Sequence, residues 1–184
     1  MSSNAHLAHV AKELVEALDR GADQMLPQEV AGVVKTHAKL AVGSAWIPVP
    51  GADVAAGAVT IWTMYGRINS KIGLSLGENV LKTIASGVAT NLASYAAMTG
   101  VASAMKLIPG LGSVGGALVL SASLYAITLC SGYVYLEALT LLAKNNNGKI
   151  DTGNIGSAVQ EVLKDKNVIK NFVNEAKKDY KNEK

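Results

Sequence analysis

The sequence predicts an all-α protein: a helical bundle around a central apolar hairpin long enough to be transmembrane, with amphipathic helices at both ends. Three observations predict it. Apolar residues recur at helical spacing near both termini, two long central stretches carry no charge, and proline–glycine turns separate the periodic segments. The chain has 184 residues, enough for one domain with a core that needs no disulfides. Hydrophobic residues make up 49% and charged residues 17%, below the usual share of about 25%. Aromatics are only 5%, while Ala, Gly and Ser are abundant. Such a composition favours helices that approach closely through small residues.

The first amphipathic helix is expected over 5–19, where Leu7, Val10, Ala11, Leu14, Val15 and Leu18 form one stripe and Gly21 supplies a stop. Pro27 opens a second helix over 28–43, with Val30, Val33, Val34, Ala38 and Val42 available for burial. Pro48 and Pro50 forbid a helix through AWIPVPG. Asp53 then stands at the N-cap of a helix over 54–70, whose stripe is Val54, Ala58, Ile61, Trp62, Tyr65 and Ile68.

From Thr83 to Met105, and again from Leu107 to Leu136, there is no charged residue. Each run exceeds the roughly 20 residues that span a bilayer. Lys106 and the turn LIPGLG lie between them, so the two runs read as a helical hairpin. The first run is mostly Ala, Gly, Ser and Thr, a marginal span that favours packing against another helix. Gly87, Ser94, Ala97, Gly100, Gly115 and Gly116 are the candidates for close backbone approach. The hairpin fits a membrane or the core of a soluble bundle. Lys71 and Lys82 before it, with Lys144 and Lys149 after it, place both termini on the cytoplasmic side in the membrane reading. A polar loop, KNNNGKIDTGNIG, precedes a last helix over 157–180, with Val159, Val162, Leu163, Ile169, Phe172, Val173 and Ala176 on one face. The single domain 1–184 thus divides into N-terminal helices 1–43, an apolar core 44–143 and a C-terminal part 144–184.

Several chemistries lack their residues. The net charge of +3 is small and dispersed, and no nucleic-acid motif occurs, so no nucleic acid is expected as a partner. No GxxxxGK[ST] loop and no G-x-S-x-G elbow occurs. With Gly148 at position 6 of a calcium loop, Ala143 and Asn154 fall at positions 1 and 12, where carboxylates are needed; a polar turn with a left-handed glycine fits better. His6 and His9 share a helix face without a third ligand. Cys130 sits in an apolar run and reads as a buried thiol of a reducing compartment. MSSNAHLAHVAKELVEAL lacks the basic and apolar regions of a signal peptide. Neither metal, cofactor nor catalytic constellation is expected, and the protein reads as non-enzymatic.

Two phrases echo each other. With Val54 aligned to Val114, Ile47-Pro48 falls near Ile108-Pro109, Gly51 near Gly112, Asp53 on Ser113, and Ala55-Ala56 on Gly115-Gly116. Pro48, Pro50, Gly51 and Asp53 would launch one helix, and Pro109, Gly110, Gly112 and Ser113 an equivalent one. Asp53 and Arg67 are isolated charges in apolar surroundings. Capping and snorkelling explain them, and a role in ion passage or gating is the other reading.

IPVPGADVAA with the downstream MYGRI, and KLIPGLGSVGGA with the downstream LCSGYVYLEAL, resemble an uncharacterised bacterial domain family. That family is often fused to, or encoded beside, Era-like GTPases and occurs in inner-membrane proteins. The likeness covers about residues 35–143. It implies the bacterial inner membrane and GTPase company rather than a reaction; a cytoplasmic location is the alternative. No GTPase domain lies within these residues, and the end helices fall outside the pattern. The expectation is a membrane-associated, self-associating helical protein that shapes or perforates membrane or docks a separate GTPase. The alternative is a soluble all-α interaction module.

Overall fold

The computed structural model describes residues 15–16, 19–44, 52–99, 113–168 and 170–171. It is an all-α bundle, with no strand among the described residues. In chain order come α1 (Gln28–Ser44), α2 (Ala52–Ile72), α3 (Glu78–Thr99), α4 (Ser113–Asn145), a 3₁₀ turn (Thr152–Asn154) and α5 (Ile155–Lys164). The long helix α4 touches each of the other four, and one apolar core runs through all of them.

Each boundary has a local cause. Residues 19–25 are helical straight through a buried Gly21, so the expected stop at Gly21 is not where the chain breaks. The break falls at Leu26-Pro27, because proline has no N–H to continue the ladder. The Pro27 carbonyl then accepts from the Val30 and Ala31 amides, both at 2.9 Å, which opens α1 as expected. In α1 the residues Val30, Ala31, Val34, Ala38 and Ala41 are buried. Helix α2 ends at Gly73, whose φ of 72° lets the Leu74 amide return to the Asn69 carbonyl at 2.8 Å. A short connection follows, so α3 runs antiparallel to α2. Helix α4 closes on the left-handed Asn147 and Gly148, with the Gly148 amide on the Ala143 carbonyl at 2.7 Å. The left-handed glycine expected in this turn is therefore present.

The last helix departs from expectation. It stops at Lys164 instead of running from 157 to 180. Asp165 adopts an extended conformation, and its carboxylate accepts the Asn167 amide at 2.9 Å. A short polar side chain that serves backbone N–H groups so well restarts a helix rather than continuing one. Of the expected face, Val159, Val162 and Leu163 are buried; Ile169 and residues beyond 171 lie outside the described ones, as do His6 and His9.

The central hairpin corresponds to α3 and α4, which pack on each other through bounds shifted from the charge-free runs. Helix α3 begins within the charged segment at Glu78 and turns Leu81, Ile84, Ala85, Val88, Ala89 and Leu92 inward. Its Thr83, Ser86, Thr90 and Asn91 face outward. Cys130 is buried, as expected. Close helix approach occurs at a glycine the sequence did not single out. A Cβ on Gly132 would meet Val34 side-chain atoms at 2.7 and 2.8 Å. A Cβ on Gly87 would meet only the Gln160 side chain, at 3.6 Å, which is ordinary contact, so Gly87 is no point of tight packing.

Candidate functional site

The two echoing phrases stand in sequence at the starts of α2 and α4, and these helices lie side by side and parallel. Their register is visible in three places. Gly57 faces Leu124, the Tyr65 hydroxyl donates to the Ser131 carbonyl at 3.2 Å, and the Tyr135 hydroxyl donates to Asn69 Oδ1 at 2.8 Å. The Tyr65 and Tyr135 rings stack with centroids 4.1 Å apart and planes 11° apart. The stack joins the two stretches MYGRI and GYVYLEAL. Tyr65 appeared in the sequence only as one member of an apolar stripe, and Tyr135 not at all. The signal was a tyrosine with Asn69 four residues on, a polar position inside an apolar stripe.

Around this stack runs a polar seam inside an apolar core. Ser131 Oγ donates to the Thr128 carbonyl and Thr128 Oγ1 to the Leu124 carbonyl, each at 2.8 Å. Tyr125 donates to the Asp19 carboxylate on the helical turns before α1. Asn69 Nδ2 and Ser121 Oγ are buried with no partner among the described residues. Seams of this kind fix helix register, because a slip leaves buried polar atoms unpaired. Burial holds the Tyr65 hydroxyl above the usual tyrosine range, against a smaller lowering effect of its bond to Ser131.

That shift has a pH consequence. A raised pKa in the fold means the neutral phenol is what the fold accommodates. Its contribution is complete below the ordinary tyrosine value of about 10 and is lost as pH climbs above it. The urea midpoint is expected to fall between about pH 10 and about pH 12, and Tyr65→Phe to reduce the fall. A midpoint that stays level across this range in the unmodified chain contradicts the expectation.

The structure also sets helix directions. Val34 packs on Gly132, while Lys39 approaches Asp19, the partner of Tyr125, so α1 is antiparallel to α4. The C-termini of α1 and α3 and the N-termini of α2 and α4 therefore gather at one end of the bundle. Counted from that end, the first charges are Lys39 on α1, Lys82 on α3 and Glu137 on α4; on α2 only Asp53 precedes Arg67. The helical turns before α1 bring Glu16, Asp19 and Arg20 alongside. The opposite end carries Lys71, Glu78, Lys144, Lys149 and Asp151, and a groove of about 210 Å³ between α4 and α5 adds Glu137, Glu161 and Asp165.

The residues singled out in the sequence fall as follows. Pro48, Pro50, Gly51, Pro109, Gly110 and Gly112 lie outside the described residues. Ser113 is the first residue of α4. Asp53 lies within the first turn of α2, not ahead of it, because the helix already begins at Ala52. A carboxylate there still opposes the helix dipole favourably. Arg67 is exposed on α2, so it needs no buried partner.

Among the described residues, one helical segment, Leu124–Asn145, is long and apolar enough to cross a membrane, and most of it is buried in the bundle. No group of three or more His, Cys, Asp or Glu stands together among them. No protein-family model, curated protein or solved structure matches the chain.

Proposed function

We infer that the protein is a non-enzymatic, membrane-associated helical bundle that buries its charge-poor end in a bilayer and self-associates there. The observation that carries this reading is the segregation of charge along the bundle axis. A charged side chain at bilayer depth costs about 2.5–3.5 kcal/mol, and the four helix ends gathered there limit that cost to Asp53 and to Lys106, which lies in sequence between α3 and α4. Along α4 the uncharged length from Ser113 to Leu136 is about 35 Å, but α1 has only residues 40–44 beyond Lys39, about 7 Å, so the bundle end as a whole enters only part of the hydrocarbon. Insertion from one side therefore fits better than a complete crossing, with the polar loop after α4 on the cytoplasmic face of a bacterial inner membrane. Leu40 and Val59, 62% and 51% exposed, lie on this end. Thr63 and Thr90 bond their hydroxyls to carbonyls of their own helices, a partner that persists without water. Self-association of inserted ends would shape or perforate the membrane. The resemblance to domains that accompany Era-like GTPases supports a separate GTPase docking on the charged end.

Membrane fractionation of the full chain tests this. The protein is expected to float with membranes and resist carbonate extraction. Recovery as a dispersed soluble monomer overturns it. The second reading, a cytoplasmic all-α interaction module, is favoured by the outward Ser86 and Asn91 of α3 and by the buried face of Leu124–Asn145. A cooperative thermal melt without detergent, from protein absent from the membrane fraction, is its signature.

A further inference from the structure

We propose that the groove between α4 and α5 is the docking surface of the chain's own C-terminal segment, residues 169–184, which seats Phe172 on its apolar floor and lays a row of lysines along its carboxylates. The proposal stands apart from the membrane reading above and holds whether or not the bundle enters a bilayer.

The groove is mixed in chemistry. Leu141 and Val162 offer apolar surface, and Val168 closes one side. Glu137, Glu161 and Asp165 set three carboxylates around them, against one ammonium, Lys144, among the described lining residues. Its wall on α4 belongs to a stripe that stands open: Tyr133, Glu137 and Leu141 are half-buried, and Thr140 and Lys144 are exposed. Helical spacing puts these five on one side of α4, over about 17 Å from Tyr133 to Lys144.

The chain reaches the groove and continues from it. Residues 166–168, 170 and 171 are helical. Val168 is half-buried against the core, so the restarted helix enters with an apolar side chain already in place, while Asn167 and Asn171 are exposed on its outer side. At helical spacing Val168 shares a stripe with Ile169, Phe172, Val173, Ala176 and Tyr180, about 18 Å long. That length matches the open stripe of α4. Lys166, Lys170, Lys177 and Lys181 fall in a row along one edge, and Glu175 and Asp179 along the other. Residues 169–184 carry five lysines and three acids, so the segment is cationic where the groove is anionic. An amphipathic helix laid in a groove is held by apolar anchors three and four residues apart. Phe172 is the largest wholly apolar anchor of this stripe.

The test is hydrogen–deuterium exchange, read by mass spectrometry, on the full chain and on full-length variants. Amides of residues 172–180 are expected to be protected in the unmodified chain. Phe172→Ser should cut that protection by about tenfold or more, while α1 to α4 keep theirs. Reversing the groove's charge with Thr140→Lys and Glu161→Lys, both at exposed positions, should cut it about threefold to tenfold. Lys170→Glu with Lys177→Glu should do the same, and combining the two pairs should restore protection. A combination no better protected than either pair overturns the proposal. So does exchange of residues 172–180 at the rate of an unprotected chain. Protection that the groove pair leaves unchanged places the segment on lipid, detergent or another face, and overturns it. Protection that falls on dilution, with a two-chain mass by light scattering, makes a second copy the occupant and overturns it as well. If far-UV circular dichroism shows the groove pair unfolded, the lysine pair and Phe172→Ser decide alone: protection kept in both overturns the proposal.

Discussion

Replacing Tyr65 with Ala is expected to lower unfolding free energy by about 3–5 kcal/mol, the range for removing a buried aromatic ring. Tyr65 is fully buried, and its ring stacks on Tyr135 in the middle of the α2–α4 contact. The deletion leaves a void against α4 and orphans one face of Tyr135. The hydroxyl matters less. Its 3.2 Å bond to the Ser131 carbonyl is an ordinary neutral hydrogen bond, worth about 0.5–1.5 kcal/mol net. Tyr65→Phe should therefore keep most of the stability that Tyr65→Ala loses. Urea melts of the two variants check the ordering. Equal losses would mean that the hydrogen bond, not the ring, holds the two helices together. A loss below about 1 kcal/mol for Tyr65→Ala would mean that the stack contributes little to the fold.

At Gly132 two effects oppose each other, and magnitude decides between them. Alanine in place of a helical glycine gains about 1 kcal/mol of intrinsic propensity. Here the added Cβ would stand 2.7 and 2.8 Å from the two Val34 methyls and 3.3 Å from the Val34 Cβ. Valine in a helix has one strongly preferred rotamer, so rotation does not clear both methyls. The helices α1 and α4 must separate, and overpacking of this kind costs about 1–3 kcal/mol. Gly132→Ala is expected to destabilise by about 1 kcal/mol net, and Gly132→Val by more, since it adds two further carbons and keeps less of the propensity gain. The sign should reverse when Val34 is first cut to Ala. In that background only the 3.3 Å approach to the residue 34 Cβ remains, a contact that a shift of a few tenths of an ångström relieves, so the propensity gain prevails. A double-mutant cycle measured by urea melts gives the coupling directly. A gain in stability from Gly132→Ala in the unmodified chain would mean that α1 and α4 can move apart at no cost.

The fold class and much of the organisation were legible in the sequence. Valines and alanines spaced three and four apart marked the buried face of α1, and Pro27 marked its start. Ile61, Tyr65 and Ile68 marked α2, and Gly148 marked the turn after α4. Each of these signals is local: it depends on contacts within one or two helical turns. The misplacements were local as well. Gly21 has the composition of a stop but lies in a helix whose burial outweighs its flexibility. Asp165 sits in a periodic apolar pattern, yet its carboxylate captures an amide two residues ahead and restarts the helix.

The sequence alone determined that this chain is helical, that its charges avoid the middle of the chain, and that two similar phrases stand before two of its helices. Helical periodicity and hydropathy are properties of neighbouring residues, so a linear reading holds them. Only the tertiary structure decided that those two helices run parallel with Tyr65 stacked on Tyr135. It alone put Gly132 against Val34 and gathered the charge-poor ends of four helices at one end of the bundle. These pairings join residues tens of positions apart. The physical reason is that packing selects faces by shape and by satisfaction of buried polar atoms, and neither exists until the helices meet.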